Sequence, residues 1–196
     1  MKTITLITLT LFTLGYCQAQ TIVDILDSRL APETNYYLKD VNNNLDPFVG
    51  TWVYTDGNNS ITIILKKKIH FQITYGNEYE DLIYGEYRFV KNGVEIINTL
   101  SLLNDTSITN YYNHNIFGNH FPTKTIFDDD PNVTGNIIKL IMSETKVSST
   151  LEMYITTING IQAIKACKRN IALFIKKGDP IPVTAMPFGE LTFIKQ

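Results

Sequence analysis

Apolar and polar residues alternate with a period of two along most of the chain from Phe48 onward. In an extended chain this period places successive side chains on opposite faces, which is typical of half-buried strands. The segments with this pattern are FVGTWVYT, SITIILK, IHFQITY, DLIYGEYRFV, VEIINTLSLL, NIIKLIMS, SSTLEMYITTI, IQAIKAC, IALFIKK and GELTFIKQ. The pattern therefore predicts about ten strands.

Tight turns separate several of these segments. Asp56-Gly57, Asn92-Gly93 and Asn159-Gly160 are dipeptides that favour two-residue hairpin loops. A helix is an alternative prediction only for residues 161–177. Their Ile and Phe content favours two strands, with a break at 168–170. Consecutive strands without helices between them predict an all-β fold, in which an antiparallel meander closes into a barrel or folds as a sandwich.

Residues 20–47 precede the strands and have a different pattern. Five apolar residues recur at near-helical spacing before Pro32 ends the pattern, namely Ile22, Val23, Ile25, Leu26 and Leu30. The segment NYYLKDVNNNLDP that follows is rich in turn residues. We therefore divide the chain after its leader into an N-terminal arm over 20–47, a short helix or an extended segment, and a β domain over 48–196.

Residues 1–19 have the features of a processing segment. Lys2 is followed by a largely apolar stretch that is too short to span a bilayer, and small residues precede a cleavage site near Ala19/Gln20. We expect cleavage there and a secreted or periplasmic protein. The alternative is lipidation at Cys17, because LGYC resembles a bacterial lipoprotein box, from which Tyr16 departs. In that case the protein would be anchored by lipid in the outer membrane, and Cys17 would be its one link to a membrane.

The composition of the chain limits the classes of molecule that it can bind and the cross-links that it can form. The 196 residues suit one domain, and the net charge of −2 with 18% charged residues provides no basic field for nucleic acid. After removal of the leader, Cys167 is the one remaining cysteine, so an internal disulfide is excluded. We expect Cys167 to be a small buried hydrophobe.

The sequence contains few candidates for catalytic or metal-binding residues. The sequence contains no G-x-S-x-G nucleophile elbow, no Cys-His pair within a catalytic motif and no phosphate-binding loop. We therefore expect no catalytic residues and no cofactor. His114 and His120 lack further ligands at zinc-site spacing, and we interpret them as loop or surface histidines and expect no metal. The carboxylates near predicted strand ends, which we expect to be solvated, are Glu78, Glu80, Asp81 and Glu86.

The motif around the single tryptophan carries a family resemblance. LDPFVGTWVY resembles the first strand of lipocalin-like proteins, in which a Gly-x-Trp, here Gly50-x-Trp52, follows the turn that closes the barrel base. The segments YYLKDVNNNLDPFVGTWVYTDGNNSITIILKKK, YEDLIYGEYRFVKNGVEIINTL and ELTFIKQ are more specifically similar to a bacterial family of small exported proteins of unassigned function. The resemblance covers most of the chain after the leader. It implies a lipocalin-like (calycin-type) barrel of about 8–10 strands over 48–196.

This resemblance leads to a hypothesis about the site. Alternation places Trp52 and Tyr54 on one face of their strand, and Phe71, Ile73 and Tyr75 on one face of a neighbouring strand. We expect these five side chains to face the barrel interior near its base and to line a site for a small hydrophobic molecule at the cell envelope.

Two other functions are alternatives to a small-molecule site. A filled barrel could instead be a protein-interaction or adhesin-type envelope module that uses loops around 104–136, including the aromatic run NYYNHNIFGNHF. That run could cap the core or edge a binding mouth, and we favour the cap. A hydrolase using paired carboxylates is the weakest interpretation. The lipocalin resemblance also implies a basic residue that packs on the tryptophan, a part that we assign to Arg169.

Overall fold

The computed structural model describes residues 19–73, 77–131, 133, 135–144, 147–173 and 186–196, with the backbone alone at 170–173. Within these residues the chain forms eleven strands and four short 3-10 helices. The strands are β1 (Thr21–Asp24), β2 (Tyr36–Lys39), β3 (Gly50–Asp56), β4 (Asn59–Gln72), β5 (Tyr79–Lys91), β6 (Val94–Asn98), β7 (Ile116–His120), β8 (Ile138–Glu144), β9 (Val147–Ile158), β10 (Ile161–Leu173) and β11 (Gly189–Lys195). The 3-10 helices span Ile25–Leu30, Asp46–Phe48, Leu100–Asn104 and Tyr111–Asn113.

Eight of the described strands close into an antiparallel barrel, in the order β5-β4-β3-β11-β10-β9-β8-β7 and back to β5. Closure depends on β7, which pairs with β8 on one side and with residues 83–85 of β5 on the other. The prediction of an all-β antiparallel meander closed into a barrel is confirmed, and the barrel is consistent with a lipocalin-like one.

Strand β5 organises the elements outside the barrel. The edge of β5 that faces away from β4 is shared by three partners: β2 at its start, β7 in its middle and β6 at its end. Strands β1 and β2 pair in parallel, and β2 joins β5 in parallel through two residue pairs. The N-terminal arm is therefore two short strands flanking a 3-10 helix, where the sequence predicted a helix or an extended segment.

Two predicted strand breaks are wrong, and the three predicted hairpins are confirmed. The first hairpin joins β3 to β4, with Gly57 and Asn58 as its loop in place of Asp56-Gly57. Residues 59–72 form one strand, β4, in which a register shift between Lys68 and Phe71 accommodates His70 at φ +50°. Residues 161–173 also form one strand, β10, across the predicted break at 168–170. Asn92-Gly93 and Asn159-Gly160 are hairpin loops with positive φ at both residues, as such loops require.

Side chains fill the middle of the barrel. Inward-pointing side chains of the barrel strands are almost completely buried, each no more than 1% exposed, as in Ile61, Ile63, Ile83, Tyr87, Ile116, Leu140, Met142 and Leu151. A side chain with no accessible surface touches neither bulk solvent nor a water-sized void. The midsection of the lumen is therefore packed like an ordinary core.

The arm covers one end of the barrel, here called the base. Lys67, in the second half of β4, points inward, and its ammonium lies 2.8 Å from a carboxylate oxygen of Asp40 and 2.6 Å from one of Asp46. Asp81 accepts hydrogen bonds from the Tyr37 hydroxyl and from the backbone N–H of Asp40 and of His70. These contacts tie the arm to β4 and β5, because the buried Asp81 of β5 accepts from the arm and the bulge, and the buried Asp40 of the arm accepts from Lys67 of β4.

Candidate functional site

Trp52 packs at the base of the lumen as part of the core. It is 1% exposed, and its indole N–H donates a 2.8 Å hydrogen bond to the Phe48 carbonyl, in the 3-10 helix that precedes β3. The Lys195 ammonium lies 5.1 Å from the Trp52 ring centroid and donates to Gln162 Oε1. Gly50 makes room for Lys195, whose Cε would lie 3.1 Å from a Cβ at that position.

The assignment of Arg169 as the residue packed on Trp52 is therefore wrong. The Arg169 side chain is 52% exposed and approaches Glu152 at 3.7 Å. Lys195, on the strand that pairs with β3 at Trp52, has the position expected of the basic partner. The Arg169 assignment relied on nearness in sequence to a basic run, whereas strand pairing decides which cation reaches the ring.

The other predicted ligand-binding residues do not converge in the lumen. Tyr54 is half-buried beside Phe193, at the end of the barrel away from the base. Phe71 lies on the outer wall against Tyr111 and Tyr112, because the bulge after Lys68 shifts the alternation of β4. Ile73 follows the end of β4 and is half-buried. Tyr75 and Cys17 lie outside the described residues.

The end of the lumen away from the base holds a buried polar network. Lys168 is fully buried, donates to Glu144 at 2.5 Å and donates to the Met186 carbonyl at 2.9 Å. The Tyr87 hydroxyl also donates to Glu144, at 3.1 Å. Burial lowers the pKa of Lys168, against the opposing effect of Glu144, and burial raises the pKa of Tyr87. The network occupies the space where a ligand would enter a hollow barrel.

A concave site lies on the outside of the barrel, and we call it the outer-wall pocket. It is an open cavity of about 630 Å³ between the outer face of β4–β5 and the loop that joins β6 to β7. The strands contribute Lys68 and Tyr84, and the remaining lining residues are Leu103, Asn104, Asp105, Thr106, Ile108, Thr109, Tyr111 and His114. Its volume lies within the range of roughly 300–1,000 Å³ that is typical of small-molecule sites.

A buried histidine–carboxylate pair forms one wall of this pocket. His114 is 3% exposed, and its Nδ1 lies 2.9 Å from Oε1 of Glu86, which is fully buried. Asn115 donates to the same carboxylate from its backbone N–H at 3.3 Å and from its side chain at 2.6 Å. Three donors thus hold one carboxylate, and the carboxylate fixes the orientation of the imidazole ring.

Aromatic rings form the rest of the wall. The Tyr84 ring lies 4.7 Å from the Tyr111 ring at an interplanar angle of 74°, and 4.7 Å from the His114 ring. The Lys68 ammonium lies 5.2 Å from the Tyr111 centroid. Burial is the main cause that raises the pKa of the Tyr84 hydroxyl, so this hydroxyl stays neutral at physiological pH. The pocket thus combines flat apolar surface with one ammonium and one imidazole.

Several predictions about charged residues are corrected here. Glu80, Asp81 and Glu86 are buried, where we predict solvated carboxylates. His114 lies in the loop before β7, as one of the two predicted positions has it, but it is buried and not on the surface. Burial raises the pKa of Glu80, while hydrogen bonds from Tyr112 and Asn119 act in the opposite direction. The aromatic run divides in two: Tyr111 and His114 pack over the outer face of β5, whereas Ile116 on β7 belongs to the core and Phe121 packs against that core, so the favoured prediction of a cap holds for the second half of the run.

A signal for the Glu86 site was present in the sequence. Both faces of DLIYGEYRFV are rich in apolar or aromatic residues, with Leu82 and Tyr84 on one and Ile83 and Tyr87 on the other. A strand that is apolar on both faces is covered on both faces. A mid-strand glutamate on such a face needs buried partners, and the Asn and His residues of the aromatic run supply them.

Other features of the described residues bear on the remaining predictions. Cys167 is a buried free thiol, as predicted, and burial raises its pKa. Within the described part of the chain, no group of three or more His, Cys, Asp or Glu side chains is placed to hold a metal ion. None of the described helices is long and apolar enough to cross a membrane.

The fold and this pocket define a class: a closed eight-stranded antiparallel β-barrel with a filled midsection and a concave site on its outer wall. The chain belongs to DUF6705, a family of unknown function, whose model matches residues 1–196. No curated protein and no solved structure matches the chain significantly.

Proposed function

We propose that this protein is a non-enzymatic binding protein that takes a small molecule in the outer-wall pocket, with the barrel as a rigid scaffold. The observation that carries the proposal is His114, whose Nδ1 is held by Glu86 while the residue lines an open cavity. Among the described residues Nε2 has no hydrogen-bond partner and is not a buried unsatisfied atom, so the site presents an accessible, oriented polar atom to whatever enters. The packing of the lumen supports a site outside it.

Native mass spectrometry of the protein purified from the cells that produce it tests this proposal. We expect a co-purifying small molecule that is lost in His114→Gln, whose amide can still contact Glu86, and retained in the control His120→Gln. His120 is exposed at the end of β7 and does not line the pocket. Thermal unfolding of both variants checks their folds. A small molecule retained equally by both variants, or repeated absence of one from wild type, contradicts the proposal.

A second candidate function, binding of an envelope protein, is supported by β6. This strand pairs only with β5 among the described strands, and it exposes Val94 and Ile96 by 63% and 50%. Paired apolar side chains on a sheet edge are a common mode of protein contact. Substitution of both by Lys is expected to release a co-purifying protein partner, whereas His114→Gln is expected to leave it bound.

We also propose that the protein is exported, on the basis of the leader pattern in residues 1–19. The intact mass of the protein from its own cells tests this. A chain that begins at Gln20 or Thr21 supports cleavage and secretion or release into the periplasm. A chain that begins at Cys17 with an added lipid mass supports outer-membrane anchoring. An unprocessed chain contradicts both.

A further inference from the structure

We propose that the ligand of the outer-wall pocket is a small aromatic carboxylate, with its anionic group at Lys68 and its ring against Tyr84 and Tyr111. This inference rests on the proposed function, since it names the chemistry of the molecule that the same pocket would take. Three features of the pocket lead to it: an unneutralised ammonium, an oriented imidazole and a pair of flat aromatic walls.

Lys68 is the first feature. It is half-buried on the outer face of β4, lines the pocket, and has no carboxylate within ion-pair distance among the described residues. Its contact is with the face of the Tyr111 ring. The adjacent residue on the inner face, Lys67, is by contrast paired with two carboxylates. A partly desolvated cation without an anion is stabilised by a ligand that brings one, because Coulomb attraction is stronger away from bulk water.

His114 is the second feature. Because Nδ1 is committed to Glu86, Nε2 is the ring atom that meets a ligand. Nε2 accepts a hydrogen bond when the imidazole is neutral and donates one when the imidazole is protonated. Either state provides an orienting polar contact, and Glu86 balances the positive charge of the protonated state. The position of His114 beside Tyr84 places this contact at the edge of the aromatic wall.

The third feature is the pair of aromatic walls, Tyr84 and Tyr111, which face Asp105 on the loop side of the pocket. Tyr84 and Tyr111 meet edge to face and present flat apolar surface on which an aromatic ring can pack. Asp105 is the one carboxylate that lines the pocket among the described residues. It is exposed on the loop, accepts from the backbone N–H and the hydroxyl of Ser107, and keeps a lowered pKa through these bonds. Solvent screens this charge more than the charge of half-buried Lys68.

A titration followed by amide NMR with three matched probes tests the inference. The probes are benzoate, benzyl alcohol and benzylamine, which share the ring and differ in charge. We expect benzoate to shift the amide signals of Lys68, Tyr84, Tyr111 and His114, with a Kd about tenfold below that of benzyl alcohol. Lys68→Gln is expected to remove this difference. Lys124→Gln, an exposed residue outside the pocket, is the control and is expected to keep it.

The possible outcomes separate this inference from the proposed function. Binding of benzylamine as tight as that of benzoate, or an unchanged preference for benzoate in Lys68→Gln, overturns the carboxylate assignment and leaves a small-molecule site at the pocket. The absence of any shift at these four residues with about 10 mM benzoate also overturns it. A natural ligand that is lost in His114→Gln but carries no acidic group contradicts the inference while supporting the proposed function.

Discussion

At the scale of single residues, Trp52 shows how a sequence motif becomes a structural role. Its side chain closes the base through a hydrogen bond to Phe48 and through contact with Lys195. Its burial leaves no surface for a ligand. The Gly-x-Trp motif therefore marks where the barrel is sealed, and the candidate site lies elsewhere.

Substitution of Trp52 by Phe is expected to destabilise the protein by about 2–3 kcal/mol, through lost packing and an unpaired buried carbonyl at Phe48. Urea unfolding followed by circular dichroism measures the change. Tyr54→Phe is the matched control, because the Tyr54 hydroxyl has no hydrogen-bond partner among the described residues. We expect the control to change the free energy of unfolding by less than about 0.5 kcal/mol. Equal effects of the two substitutions would contradict the structural role of the indole.

Tyr87 gives the protein a specific alkaline sensitivity. Burial and the neighbouring Glu144 carboxylate raise its pKa well above the ordinary value of 10.0. Above pH 10 the unfolded chain therefore releases the Tyr87 proton while the folded chain retains it. The unfolded state then binds fewer protons than the folded state, so the free energy of unfolding falls as pH rises.

The expected size of this effect is about 1 kcal/mol per pH unit for Tyr87. Urea unfolding between pH 10 and 11.5, followed by the fluorescence of Trp52, measures it. In Tyr87→Phe the decline with pH is expected to be shallower by that amount, whatever the stability of the variant at pH 7. An identical slope in wild type and variant would show that the hydroxyl ionises equally well in both states.

At the scale of elements, the β4–β5 pairing depends on a glycine, Gly85. Gly85 sits opposite Leu65 on β4 and opposite Ile116 on β7. A Cβ at this position would lie 2.5 Å from the Ile64 carbonyl oxygen and 2.7 Å from a Leu65 methyl carbon. The strand closes the barrel on one side and supports the outer-wall pocket on the other, so its spacing from β4 matters for both.

Gly85→Ala is expected to lower the free energy of unfolding by about 1–3 kcal/mol, because strand backbone cannot move aside as a flexible side chain can. Gly135→Ala is the control, since a Cβ there would meet no atom within 4 Å. Thermal and urea unfolding compare the two. A Gly85→Ala variant as stable as wild type would mean that β4 and β5 separate at little energetic cost.

Elements differ in how far the sequence predicted them. The hairpins at Asn92-Gly93 and Asn159-Gly160 could be predicted because the turn chemistry is local. Strand β7 could not be predicted, since its pattern is short and irregular and its pairing partners, β5 and β8, are remote in sequence. The outward position of Phe71 was missed for a related reason, because the bulge at His70 changes the alternation and leaves no sequence signature.

At the scale of the whole molecule, the filled lumen distinguishes this barrel from a hollow ligand carrier. Apolar side chains occupy the middle, the Trp52–Lys195 contact seals the base, and the Lys168–Glu144 pair lies at the other end. A buried ion pair of this kind is costly to expose or to break, which favours a fixed arrangement of this end.

We therefore expect the neutral dye N-phenyl-1-naphthylamine to show no saturable binding to the lumen at roughly micromolar concentrations. Leu151→Ala, which truncates a fully buried side chain of the lumen, is expected to cost about 2–5 kcal/mol and to create a cavity that admits a benzene-sized molecule. Wild-type binding of the dye that quenches Trp52 and persists in His114→Gln would contradict a filled lumen.

The sequence by itself determined the β class, the meander and the base position of Trp52, because alternation, turn dipeptides and a motif next to a turn are local features. Only the tertiary structure decided that Lys195 packs on Trp52, that β7 closes the barrel, and that Glu86 and His114 meet beneath a loop. These outcomes depend on contacts between residues far apart in sequence. Whether a glutamate is solvated or buried depends on what folds over it, and this becomes visible only when the chain is folded.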